Sequence, residues 1–186
     1  MEDVERQIRR QLLSGRADDV KDGLSSVLFW GYARTGYRDV RVRRFRESVS
    51  SEQLLHASRL FRDLTGPGLR RIAALELPEF SGMSFVSKVR MFLDPVYYTV
   101  LDNRLLSLRA HCRGSTLAQF AKSKKETLIR ISKPNEDCYA RWCEKCHRLS
   151  IQCWGEAGRA VDVERAVFGL IDGGNVEAAA RIAESL

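Results

Sequence analysis

The sequence predicts an all-α protein, and three observations carry that prediction. Apolar residues recur at three- and four-residue spacing nearly throughout, segments of strict alternation are almost absent, and strong helix stops and starts punctuate the chain. The composition agrees. The chain has 186 residues, 44% of them hydrophobic and 30% charged, a globular balance that excludes a wholly disordered or collagen-like chain. No apolar run reaches about 18 residues, and the N-terminus MEDVERQIRRQLL mixes charge with apolar positions where a signal peptide needs an unbroken apolar stretch. A soluble, cytoplasmic, monomeric protein without membrane contact is expected, with residues 1–186 forming one domain.

Periodicity predicts helices over Glu2 to Leu13 and Asp19 to Ala33, the latter with Val20, Leu24, Val27, Leu28 and Gly31 on one stripe. Tyr37 to Phe45 is the single strand-like segment. Ser50 or Ser51 caps a helix with the stripe Leu54, Ala57, Ser58, Phe61 and Leu64, closed by Thr65-Gly66-Pro67-Gly68. A short helix over Leu69 to Leu75, a turn at residues 77–82 and a helix from Met83 to Phe92 make two helices joined by a tight turn. Asp94-Pro95 breaks the second, residues 97–101 are extended or irregular, and Asp102 is placed to cap the next helix through Leu108. Further helices are expected at Leu117 to Ser123, Asn135 to Cys153, Val161 to Ile171 and Val176 to Ser185.

The net charge of +7 is unevenly distributed. Residues 155–186 carry −3, so the first 154 residues carry +10. Arg38, Arg41, Arg43, Arg44 and Arg46 fall within nine residues, and Lys122, Lys124 and Lys125 form a second cluster. Such clusters are the footprint of phosphate-binding surfaces, and equally of a cationic solvated face.

The stretch LRRIAALELPEFSGMSFVSKVRMFLDPVYYTVLDNRLL, residues 69–106, orders its parts distinctively: an apolar helix, a Leu77-Pro78 turn with Gly82, a second helix, a break at Pro95, then Leu101-Asp102 opening another helix. In that order and spacing it resembles the helix-hairpin-helix glycosylase superfamily of base-excision DNA repair enzymes, with the helix-hairpin-helix at residues 69–93. The resemblance implies a helical bundle of two small lobes around a cleft, and double-stranded DNA as partner. It further implies that a base is flipped out of the duplex and its N-glycosidic bond hydrolysed. Because the family includes bacterial enzymes acting on hypermodified phage bases, it admits either base excision repair or defence against bases such as glucosylated hydroxymethylcytosine. A non-catalytic helix-hairpin-helix module and a helical protein binding an acidic partner are the competing readings.

Physical chemistry supports the resemblance at two points. A turn that points N–H groups outward at a helix start holds a DNA phosphate without reading a base, and Ser81, Gly82, Met83 and Ser84 would supply those groups. A carboxylate at the next helix start stabilises the positive charge that grows on deoxyribose as the base leaves, and orients water; Asp102 is that carboxylate, or else only an N-cap. Arg90, Arg104 and Arg34 are expected at the DNA. The family's two turn glycines are replaced by Glu79 and Ser81, and a buried Glu79 beside phosphate would be unfavourable. The Schiff-base Lys of bifunctional members aligns with Met83 or Ser84, so a monofunctional hydrolase is expected. Lys88, one turn on, is expected first as a phosphate-facing or surface lysine, with a nucleophilic role as the alternative. Trp30 and Tyr32, beside Gly31, and Tyr97 and Tyr98, before Asp102, are the candidate base-pocket aromatics; core packing is the competing role of the first two.

Cys138, Cys143, Cys146 and Cys153 form C-x4-C-x2-C-x6-C, close to the four-Cys iron–sulfur loop of some superfamily members. Their three- and four-residue repeat with Tyr139, Trp142 and Leu149 describes instead one buried helix face, and about 16 helical residues spread over about 24 Å, too far for four thiolates to converge. No cofactor is expected, His147 being the spare ligand considered. The acidic C-terminal segment, with Arg159 and Asp162 as a cap or pair, closes the bundle away from DNA.

Overall fold

The structure, a computed structural model, describes residues 2–33, 35–63, 66–121 and 128–186. Among them no strand occurs, as an all-α chain requires. The chain divides into two compact units, Met1–Asp94 and Pro95–Leu186.

The first unit holds α1 (Glu2–Leu13), α2 (Ala17–Gly31), α3 (Arg38–Ser48), α4 (Ser51–Phe61), α5 (Leu69–Ala73) and α6 (Met83–Leu93). Its core is built on α2 and α6. Val20, Leu24, Val27 and Leu28 of α2 are fully buried, as are Met83, Val86, Val89 and Phe92 of α6. From Val86 to Leu93 every residue of α6 is buried, Lys88 and Arg90 included. The start of α4 carries a capping box: Ser50 Oγ accepts from Gln53 N at 3.1 Å while Gln53 Oε1 accepts from Ser50 N at 3.0 Å. Gly66 closes the segment in the left-handed region at φ +64, with its N–H on the Asp63 carbonyl. Leu64 and Thr65 lie outside the described residues.

The expected strand at Tyr37 to Phe45 is α3, a helix. Val40 and Val42 between arginines imitate alternation, yet only Phe45 of this element is buried. An isolated strand among helices has no neighbour to satisfy its backbone, whereas a helix satisfies its own, and Arg is a good helix former.

The second unit holds α7 (Asn103–Ser107), α8 (Lys133–Trp154), α9 (Ala160–Asp172) and α10 (Val176–Ser185), with short 3-10 turns at Leu108–Ala110, Thr116–Gln119 and Gly155–Ala157. Where a helix was expected from Leu117, the 3-10 turn stands, and Ser123 lies outside the described residues. Trp142 of α8 is fully buried, and Tyr139 Oη donates to the Thr99 carbonyl at 2.7 Å, tying the irregular 95–102 segment to α8. The first N–H groups of α9 donate to that same segment, Ala160 to Val96 and Val161 to Pro95. Arg159 grips Asp162 through both carboxylate oxygens at 2.7 Å, which holds the Asp162 carboxyl below the usual range.

The α8–α9 corner admits no side chain at Gly158: a Cβ there would lie 2.3 Å from the Ser150 carbonyl oxygen. Gly158→Ala must push backbone apart and should lower stability by about 1–3 kcal/mol. Gly169→Ala, on the open face of α9 with nothing near its would-be Cβ, should instead raise it by up to about 1 kcal/mol. Urea midpoints of the two variants test this pair of opposite signs.

Candidate active site and nucleic-acid interface

The hairpin turn between α5 and α6 is held at four places. Gln53 Nε2 donates to the carbonyls of Leu75 and Glu76 at 3.2 and 2.7 Å, pinning the turn to α4. Phe80 is buried and meets Phe45 of α3 edge-on at 5.6 Å and Phe85 of α6 at 6.2 Å. Glu79 stands in the left-handed region at φ +69, a conformation that favours glycine. Its carboxylate, 8% exposed, takes Arg41 at 2.9 Å and Arg44 at 3.4 Å. The unfavourable buried charge expected at Glu79 is thus compensated by two guanidinium groups from α3.

At the start of α6 the N-cap is Gly82, which has no side chain to occupy the first-turn N–H groups. Phe85 N and Val86 N turn back to the Gly82 carbonyl at 3.2 and 3.1 Å. Ser81 is exposed and Ser84 half-buried, while the Met83 side chain is fully buried.

One turn further, Lys88 is 5% exposed. Its Nζ donates to the Ser84 carbonyl at 3.1 Å and to Ser84 Oγ at 3.0 Å, and lies 4.8 Å from the centre of the Phe85 ring. Its stem passes so close to Gly31 that a Cβ there would sit 3.1 Å from Lys88 Cδ and 2.5 Å from the Phe85 ring. The residues on either side of Gly31 face the same helix: Trp30 packs edge-on against Phe92 at 5.4 Å, and Tyr32 lies on Phe85 at 4.5 Å. Burial pushes the Tyr32 hydroxyl pKa up, with Arg41 opposing and Glu79 adding to the shift. Trp30, Tyr32, Ser84 and Lys88 are therefore gathered along one side of α6. Tyr97 and Tyr98 belong to the second unit, where Tyr97, 54% exposed, packs on His147 at 4.4 Å and Tyr98 stacks with Tyr139 at 6.5 Å.

Asp102, half-buried, is the N-cap of α7. Its Oδ1 accepts from Arg104 N at 2.9 Å and Leu105 N at 3.0 Å. Oδ2 has no hydrogen bond among the described residues. Val100 and Leu101, both buried, fix the approach to the cap.

A family model described as "Putative 8-oxoguanine DNA glycosylase OGG-like protein" matches residues 2–168. The chain belongs to this family. Comparison with curated proteins and with solved structures gave no match. The matched span contains the hairpin, Lys88 and Asp102, and it agrees with the helix-hairpin-helix glycosylase resemblance drawn from residues 69–106.

Two of the arginines expected at the DNA have internal partners. Arg90 is buried, with its guanidinium packed so closely on Gly66 that no Cβ would fit there. Arg104 turns onto α9, 2.7 Å from Asp172 and over the Phe168 ring. Arg34, Lys122, Lys124 and Lys125 lie outside the described residues. The ionic grip of α3 on Glu79 was not expected from the sequence; its only signal there is an acidic residue where the family's turn has glycine.

The four cysteines of the candidate cluster ride on one unbroken helix, α8. Cys138, Cys143 and Cys146 are buried and Cys153 is exposed. Cys143 Sγ meets Thr99 Oγ1 at 3.5 Å, and Cys138 Sγ lies 3.1 Å from an Arg141 guanidinium nitrogen. Among the described residues no group of three His, Cys, Asp or Glu is disposed to hold a metal ion. Burial, and then the neighbouring Cys143 and Glu164, push the Cys146 thiol well above its ordinary pKa. At pH 8 an impermeant alkylating reagent should therefore label Cys153 alone in the native protein and all five cysteines after unfolding, as read by intact mass. Rapid native labelling of Cys146 would contradict this burial.

Proposed function

We propose that the chain is a DNA glycosylase that takes a damaged or modified base out of double-stranded DNA and hydrolyses its N-glycosidic bond, with Asp102 as the essential carboxylate. The observation that carries this reading is the division of labour within Asp102. Oδ1 is consumed by the α7 cap, while Oδ2 of this half-buried residue has no hydrogen bond among the described residues and would be the oxygen offered to a reacting sugar. A carboxylate fixed in this way needs no reorganisation when positive charge develops on deoxyribose, and it can orient the attacking water. The N–H groups opening α6 would hold the DNA backbone, and the Trp30 and Tyr32 side of α6 would receive the extruded base. The family description makes 8-oxoguanine the first base to offer; glucosylated hydroxymethylcytosine is the second, for a role in phage defence.

Asp102→Asn separates cap from chemistry, because an amide oxygen still accepts from Arg104 N and Leu105 N. Its melting temperature should stay near that of the parent protein, while single-turnover base release falls by about two to three orders of magnitude. Unchanged base release from a duplex that the parent protein cleaves would remove Asp102 from the mechanism. Duplexes with 8-oxoguanine and with glucosylated hydroxymethylcytosine, assayed side by side, decide the substrate.

One observation favours a second reading, that of a bifunctional glycosylase and lyase. Lys88 is held almost out of water against Gly31 and the Phe85 ring, as an amine nucleophile would need to be. The monofunctional reading expects an intact abasic site and no adduct when borohydride is present during turnover. A trapped protein–DNA adduct that disappears in Lys88→Ala would assign the lyase instead.

A further inference from the structure

We propose that Glu79 is a positioning residue: it sets Arg41 and Arg44 side by side at the hairpin turn as a pair that grips a phosphodiester of double-stranded DNA. The proposal rests on the reading of the chain as a DNA-binding glycosylase and adds to it a site outside the N–H groups of α6.

Arg41 and Arg44 stand one turn apart on α3, a spacing at which like charges repel and would splay. One carboxylate removes that repulsion by taking both, Oε2 for Arg41 Nη1 and Oε1 for Arg44 Nε. The three groups are unequally exposed. Glu79 is 8% exposed, Arg41 40% and Arg44 70%. The carboxylate is therefore the enclosed member of the group, and the two arginine side chains are its exposed members. Each guanidinium has five N–H donors, and the pairing with Glu79 leaves most of them for a second acceptor. Two cations and one anion leave a charge of +1 at this point of the turn.

Other arginines of α3 do not share this arrangement. Arg38 lies over the Phe29 ring and pairs with Asp39, and Arg46 binds Asp22 and Ser25. Arg41 and Arg44 are instead drawn to the hairpin, and the Phe45–Phe80 contact keeps α3 laid against it. The backbone supplies an independent sign. At φ +69 a glycine is unstrained, and a glutamate is strained. A strained residue whose side chain organises two exposed cations has a use for its carboxylate that glycine could not serve.

The test is salt-dependent binding of a fluorescent duplex, followed by anisotropy, for the parent protein, Glu79→Gly, Glu79→Gln and Arg41→Ala/Arg44→Ala. Removing a negative charge near DNA should by itself tighten binding. The proposal expects the opposite sign for Glu79→Gly: affinity falls about tenfold, the scale of one charge-assisted hydrogen bond, and the slope of log K against log salt shrinks by about 0.9 for each phosphate no longer neutralised. The slope should shrink by about 0.9 in the arginine pair variant, which gives up that one phosphate, and adding Glu79→Gly to it should cost no further affinity. Glu79→Gln, which keeps one acceptor oxygen, should fall between and serves if the glycine variant does not fold. Equal or tighter binding by folded Glu79→Gly or Glu79→Gln, or an unchanged slope in the arginine pair variant, overturns the proposal. Absence of salt-dependent binding by the parent protein overturns the DNA reading itself, and the proposal with it.

Discussion

The burial of α6 is the constraint from which the first unit follows. A helix buried all round is ordinarily apolar all round, yet α6 carries Lys88 and Arg90 within its most enclosed stretch. A buried cation is tolerated only with hydrogen-bond partners and close packing. Ser84 provides a carbonyl and a hydroxyl for Lys88 Nζ, and Gly31 clears the space for its stem. Gly66 plays the same part for the guanidinium of Arg90. Two glycines far apart in the chain are thus explained by two cations on one helix. The aromatic residues beside Gly31 are drawn to α6 by the same packing, Trp30 onto Phe92 and Tyr32 onto the Phe85 ring that also meets Lys88.

The parts of this arrangement visible in the sequence are those written locally. Helix limits were legible wherever a cap or breaker marked them: Ser50 or Ser51, Asp94-Pro95, and Asp102. The hairpin was legible from Leu77-Pro78 and Gly82 between two apolar runs. Contacts over long sequence separations were not. The pairing of Glu79 with Arg41 and Arg44 joins residues more than thirty positions apart, and nothing in the local pattern around Tyr37 to Phe45 points to it. Local reading went further astray there, because Val40 and Val42 among arginines look like an alternating strand. The chain around them contains no other strand-like segment, and this tertiary fact overrides the local pattern.

Charge shows the same division. Counting basic residues located the cationic stretch of the chain, residues 1–154, but a count does not tell which cations face solvent with donors to spare. Arg104 and Arg90 were reasonable candidates by position, and the fold engages one with Asp172 and buries the other. Arg41 and Arg44, each paired yet still open to water, are better placed to meet a phosphate than a buried arginine of the same formal charge. Arg44 is 70% exposed, so this pairing is only partly shielded from water, and its place at a strained backbone position is better explained by what it holds in place.

Asp102 shows why spacing alone could not separate a structural role from a chemical one. Cap and catalyst make the same demand on sequence: a short carboxylate at the first residue of a helix. They make different demands on the two oxygens. The cap needs one acceptor aimed at the second and third N–H groups, and it holds the side chain in a single rotamer while doing so. Stabilising a sugar cation needs an oxygen that is not already bound and does not move. With Oδ1 fixed by two backbone donors and Oδ2 without a hydrogen bond among the described residues, the cap would prepare the proposed catalytic role. For that reason the informative substitution at this position is the one that keeps the cap while discharging the carboxylate.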